Sequence, residues 1–156
     1  MIRIAVSGHR GLPPQTALLI DQAVREELAE HCPAISGLSC LADGADQIFA
    51  RAVLDLGGEL EVVIPAEEYR DGPPDVFDEL LGRAVRVQRL GFAEATERAY
   101  MAASVRMLDG AEMLFAVWDG LPARGHGGTA DVVAEARRRG LPVRLIWPEG
   151  ARRDPG

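Results

Sequence analysis

Met113-Leu114-Phe115-Ala116-Val117 runs through five apolar residues with no polar residue at alternate positions. A strand with one solvated face alternates between apolar and polar side chains, whereas a strand covered on both faces does not. The run therefore predicts a strand inside a parallel sheet, and Val62-Val63-Ile64 repeats the signal. Working outward, five runs of β-type composition stand at 2–7, 35–40, 60–64, 113–118 and 143–147.

Helical patterns separate these runs. Pro13-Pro14 opens a helix reaching about His31, with Ile20, Val24, Leu28 and His31 on one face. A second helix follows Ala42-Asp43-Gly44-Ala45-Asp46, buries Phe49, Ala52, Val53 and Leu56, and ends at Gly57-Gly58. Another opens near Thr129, turns Val132, Val133 and Ala136 inward, and stops at Gly140-Leu141-Pro142. The long stretch between the third and fourth runs carries two helical patterns, 75–89 and 94–109, after the breaker Asp71-Gly72-Pro73-Pro74.

Alternating β and α elements indicate an α/β, Rossmann-like three-layer sandwich. Right-handed crossovers give a five-stranded parallel sheet in the order 3-2-1-4-5, with helices on both faces. Residues 1–148 form a single domain in this reading, and 149–156 a polar C-terminal tail. The chain reverses direction between strands one and four, and ligands of such sheets bind in the crevice at that switch point. The site is therefore expected in the loops after residues 7 and 118.

Composition bounds the function. The chain has 156 residues, 47% apolar and 26% charged, which suits one globular domain. A net charge of −7 argues against nucleic acid and acidic membranes as partners. All 17 basic residues are arginine, which excludes a GK[ST] phosphate loop and Schiff-base chemistry. No apolar stretch is long enough to span a membrane, and the N-terminus becomes a strand too quickly for a signal peptide. Cys32 and Cys40 form no metal-ligand pattern, so no metal site is expected and the compartment is expected to be the cytoplasm. No cofactor is required; a Mg²⁺ carried by ligand phosphates is compatible with the sequence.

Both switch-point loops are chemically unusual. In Ser7-Gly8-His9-Arg10-Gly11 the glycines permit a tight turn with exposed N–H groups, and Arg10 supplies a planar cation suited to phosphate. A plain βα turn with a polar tip is the competing interpretation. His9 is taken as a ligand contact rather than a catalyst. The second loop ends Arg124-Gly125-His126-Gly127-Gly128-Thr129-Ala130-Asp131. Gly125, Gly127 and Gly128 directly before a helix exceed what capping by Thr129 needs, and favour an anion at the helix N-terminus. Asp119 is a candidate for ribose or base, as are Asp43, Gly44 and Asp46 of the second loop, although a cap accounts for one of those two acids. Asp131 in a first helical turn is stabilised there whether or not it has another role. From the helix before strand four, Arg98, Tyr100 and Arg106 are placed to reach the pocket.

Ser7-Gly8-His9-Arg10, the Ala42-Asp43-Gly44-Ala45-Asp46 loop and Gly125 to Thr129 together resemble the SLOG superfamily. That Rossmann-like group contains the LOG-type cytokinin-activating phosphoribohydrolases and the DprA/Smf proteins. The resemblance spans residues 2 to about 148. It implies a nucleotide-derived ligand whose phosphate lies near Gly125, Gly127, Gly128 and Thr129. LOG-type enzymes carry PGGxGTxxE, whose glutamate supports cleavage of an N-glycosidic bond. Here the leading proline is absent and Val132 stands in the glutamate's place, with Asp131 one position early and Glu135 nearly a turn later.

Three functions remain open at this point. The leading one is a sensing or binding domain for a nucleotide or nucleoside phosphate. A phosphoribohydrolase, drawing its carboxylate from Asp119, Asp131 or Glu135 with Arg98 as a phosphate or leaving-group partner, is the second. The third is a protein-interaction subunit with a vestigial pocket. The resembled proteins commonly dimerise, so a homodimer is expected, with the helices at 75–109 as its candidate interface.

Overall fold

Eleven elements alternate along the chain in a computed structural model that describes residues 1–122 and 128–153. They are β1 (Ile2–Gly8), α1 (Pro14–Ala29), β2 (Ile35–Ser39), α2 (Ala45–Asp55), β3 (Glu59–Ala66) and α3 (Pro74–Gly82). There follow β4 (Arg86–Phe92), α4 (Glu97–Gly110), β5 (Met113–Val117), α5 (Thr129–Arg138) and β6 (Val143–Leu145). The sheet runs β4-β3-β2-β1-β5-β6, and every neighbouring pair is parallel.

The expected sheet of five strands in the order 3-2-1-4-5 is corrected to six. The added strand, β4, lies partly inside the stretch read from sequence as a helix over 75–89. Gln88, Leu90 and Phe92 are half-buried, while Val87, Arg89 and Gly91 are exposed, so the true period is two. An edge strand touches a single neighbour, and its outward arginines imitate the polar face of a helix. The same charges discourage pairing with a second sheet.

Alternation along the central strands builds a core on each face. Ile4 and Val6 of β1 and Phe115 and Val117 of β5 join Ile20, Val24 and Leu28 of α1 and Phe49 and Val53 of α2. Their neighbours Ala5, Leu114 and Ala116 face the other way, onto Ala103 and Met107 of α4 and Val132, Val133 and Ala136 of α5. A third cluster joins β3 to Phe77 and Leu80 of α3. Each fully buried large side chain is worth about 1.5–3 kcal/mol relative to exposure.

One ion pair ties distant parts of the second face. Arg3 reaches Glu61 at 2.6 Å and the Gly110 carbonyl at 2.5 Å, while Ser36 donates to Glu61 at 2.8 Å. Burial alone would raise the Glu61 carboxyl, but Ser36, Arg3 and Arg86 outweigh it and hold it below the usual glutamate range.

Among the described residues, no helix is long and apolar enough to cross a membrane, and no cluster of His, Cys, Asp and Glu could hold a metal ion.

A candidate ligand cleft at the ends of strands β1, β2 and β5

Two glycines let the loops at the top of the sheet meet. A Cβ at Gly8 would collide with Ala45 Cβ and lie 2.8 Å from Val117 Cβ. Gly44 has φ +95°, and a Cβ there would stand 2.7 Å from the His9 carbonyl oxygen. Only glycine fits both demands. The turn after β1 thereby locks onto the start of α2, where the Ala45 N–H donates to His9 O at 3.2 Å.

Just before that contact, buried Leu41 adopts φ +56°, a conformation that non-glycine residues rarely adopt. Its N–H donates to Ser39 Oγ at 3.0 Å and its carbonyl accepts Gln47 Nε2 at 3.0 Å, which holds it there.

Above these loops opens a cleft of about 390 Å³. Ser7, Gly8, His9, Arg10, Asp46, Gly128 and Thr129 all line it. Ser7 Oγ donates to Thr129 Oγ1 at 3.4 Å, bringing the end of β1 to the first residue of α5. Gly128 rather than Thr129 occupies the N-cap position of α5, and no side chain caps that helix. Val6, Met107, Leu121 and Pro122 give the cleft an apolar wall, and Tyr100 and Trp118 an aromatic one.

Arg10 spans the mouth. It pairs with Asp71 at 2.6 Å and lies over the Tyr100 ring at 5.8 Å. Asp71 in turn accepts the Asp43 N–H at 2.9 Å. Asp46 sits below, 7% exposed. Burial pushes its carboxyl up to about 7, against the opposing pull of the Ala42 N–H and Arg10 and with some help from Asp71.

Other candidates stand outside the lining. Asp119 works from behind: its N–H donates to His9 Nε2 at 3.2 Å, and its carboxylate accepts the Leu121 N–H at 2.9 Å. Burial would raise that carboxyl, but the Leu121 N–H, His9 and Arg153 together hold it below the usual range. Asp43 and Gly44 shape the loop without lining the cleft, and so do Asp131, Glu135 and Arg98 lie outside it. Glu135 is held by hydrogen bonds from Arg138 and Arg139, which push its carboxyl down to about 2. Arg98 lies over the Phe92 ring, and Arg106 lines a separate smaller groove. Gly125 and Gly127 lie outside the described residues.

Sequence reasoning missed Glu97 and Met107 of the lining and two contributors from the C-terminal stretch. Arg153, from the stretch read as a tail, lines the cleft and pairs with Asp119 at 3.4 Å. The Arg152 N–H anchors it by donating to Thr16 Oγ1 at 2.9 Å. Trp147 meets the His9 ring edge-on at 5.4 Å. Neither residue sits in a motif, so nothing local marked them.

No family model and no curated protein matches this chain. Solved structures match it in fold. DNA processing protein A from Streptococcus pneumoniae superposes with a TM-score of 0.71 at 17% identity, over 96% of this chain and 52% of its own. The present chain thus spans about half the length of that protein. The protein TM1055 gives 0.62 at 18% identity, over 92% of this chain and 72% of its own. A molybdenum cofactor binding protein from Rippkaea orientalis gives 0.62 at 16% identity, over 92% and 75%.

At 13–18% identity these matches show a shared α/β fold. That fold corrects one expectation. Net charge argued against nucleic acid as a partner, yet a structural neighbour, DNA processing protein A from Helicobacter pylori, binds single-stranded DNA. It superposes at a TM-score of 0.70 with 13% identity, over 97% of this chain and 68% of its own. Net charge averages the whole surface, whereas a strand of nucleic acid samples one groove, so the expectation fails.

Proposed function

We propose that the chain is a binding domain whose cleft takes a nucleotide or another phosphorylated nucleoside derivative. The observation that carries this reading is the meeting of Ser7 with Thr129 at the start of α5, inside a cleft that Arg10 also lines. A helix N-terminus presents backbone N–H groups and positive potential, and an arginine adds a forked donor. Phosphate is the anion that uses both. The apolar wall of Val6, Met107 and Leu121 and the rings of Tyr100 and Trp118 suit a base. Asp46 is the carboxyl available to it from the β2 side.

Calorimetry with paired 5′-phosphorylated and unphosphorylated nucleosides tests this. Phosphorylated members are expected to bind at least tenfold more tightly, with Thr129→Val and Arg10→Ala each removing part of the difference. Equal affinity within every pair would overturn it. Chromatography of the incubated ligands separates binding from turnover. Free base and ribose 5-phosphate would establish a phosphoribohydrolase, with Asp46 or Glu97 as the carboxyl that lines the cleft.

A second reading comes from the single-stranded DNA binding of the Helicobacter pylori neighbour. Under it the cleft holds one nucleotide of a longer strand. A short oligonucleotide in the same panel, binding more tightly than its mononucleotide and weakening steeply with salt, would favour it.

A further inference from the structure

We propose that Asp46 meets the ligand as an uncharged carboxylic acid, so that binding of an anionic ligand draws protons onto it. The inference rests on the phosphate-binding reading above and adds the chemistry of the second contact. Asp46 stands in the first turn of α2, after β2, and Thr129 opens α5, after β5. These strands flank β1 on opposite sides, so the two helix starts are separated laterally by roughly 10 Å. A nucleoside monophosphate has the length to touch both.

The surroundings of Asp46 decide its charge. From the turn after β1 comes Arg10, whose guanidinium is committed to Asp71 at 2.6 Å. Cys40, at the end of β2, is a fully buried thiol rather than a charge. The loop before α2 adds Asp43 and the Ala42 N–H, and the segment after β3 adds Tyr69 and Asp71. Glu97 and Tyr100 face the cleft from α4. Arg153 and His9 also line the cleft. Of the charges acting on Asp46, Arg10 favours the ionised form and Asp71 the neutral one, and burial outweighs both. A phosphate arriving at Arg10 and α5 adds negative charge and draws Arg10 away, both of which favour the protonated carboxyl. Its hydroxyl then donates to an acceptor on the ligand, while an oxygen still accepts from Ala42. The cleft therefore selects ligands that present an acceptor, such as a ring nitrogen or carbonyl, opposite their phosphate.

The test uses the whole chain with its aspartate carboxyls labelled with ¹³C, titrated by NMR over pH 5 to 9. The probe is inorganic sulfate, which keeps its two charges throughout; Asp46→Asn assigns the signal. Saturating sulfate is expected to raise the Asp46 midpoint by about 0.7 pH unit, equivalent to about a fivefold loss of sulfate affinity on ionisation. The Thr129 amide should shift in parallel, and Asp46→Asn should bind sulfate with little pH dependence. A Thr129 response with an unmoved Asp46 midpoint would overturn the proton coupling and leave the phosphate site standing. If neither signal responds to sulfate, both readings fall.

Discussion

The imidazole of His9 and the backbone and carboxylate of Asp119 close the top of the sheet between β1 and β5. Nε2 of His9 accepts the Asp119 N–H at 3.2 Å and lies 3.3 Å from the carboxylate oxygen Oδ1. Trp147 packs edge-on against the same ring, so the imidazole is wedged between two segments that follow β5 and β6. The cleft face of His9 is positioned by these contacts.

This relationship predicts energetic coupling between the two residues. His9→Ala and Asp119→Ala should each destabilise the fold by about 1–2 kcal/mol, and the double variant by about 1 kcal/mol less than their sum. Urea unfolding of the four proteins measures it. The Asp119 carboxyl is held below its ordinary range, so its contribution should be complete at neutral pH. That contribution should fade as pH falls through the lowered folded value. Strict additivity at pH 7 would show that the contact carries no energy.

Gly44→Ala should cost about 2–4 kcal/mol, because φ +95° and the His9 carbonyl oxygen both oppose a Cβ. Denaturant midpoints give the value. The strain falls on the turn that carries His9 and Arg10, so binding of any cleft ligand should weaken in the same variant. A variant as stable as the parent would mean that the loops can separate freely.

Asp46→Asn should stabilise the protein at high pH. The carboxyl is raised from the ordinary aspartate range to about 7, so the folded state holds its proton more tightly than the unfolded state. Stability must then fall as pH rises from about 4 to about 7, where the ionised form is buried at a cost of about 3 kcal/mol. The asparagine avoids that loss. Unfolding at pH 5 and pH 8.5 should show the parent losing about 3 kcal/mol relative to the variant between the two. A parent stability that does not decline over this window would contradict the burial of an ionising group.

Val132→Glu installs the carboxylate of the LOG-type motif at its aligned position. Val132 is 1% exposed and packed with Ala5, Met107 and Ala116. The substitution should destabilise the domain by about 3 kcal/mol or more and yield no release of free base from nucleoside monophosphates. Circular dichroism melting and product chromatography read the two effects. Gained turnover in a folded variant would restore the hydrolase reading.

What the sequence made legible were features with local causes. The uninterrupted apolar run of β5, the prolines opening α1 and the glycines after α2 each reflect forces acting within a few residues. The switch-point loops followed from strand order, which holds around β1 even though β4 extends the edge. β4 escaped because its face toward solvent carries arginines, and charge masks a two-residue period. Asp46 had the sequence of an ordinary first-turn acid; its burial is tertiary, and Arg10 from the turn after β1 and Asp71 from the segment after β3 come close enough to act on its charge. Arg153 and Trp147 reach the site through the same tertiary return of the chain.

The register of β1 against β5 pairs Ile4 with Met113 and Gly8 with Val117. During synthesis, β2 and β3 can dock on one side of β1 long before its other edge finds a partner. Until β5 emerges, that edge presents unpaired backbone groups to any passing strand. The two halves of the cleft thus meet only after β5 and α5 have emerged, and an early ligand would find only one of them. Chaperone dependence and aggregation should therefore be greatest for nascent chains that end before residue 113.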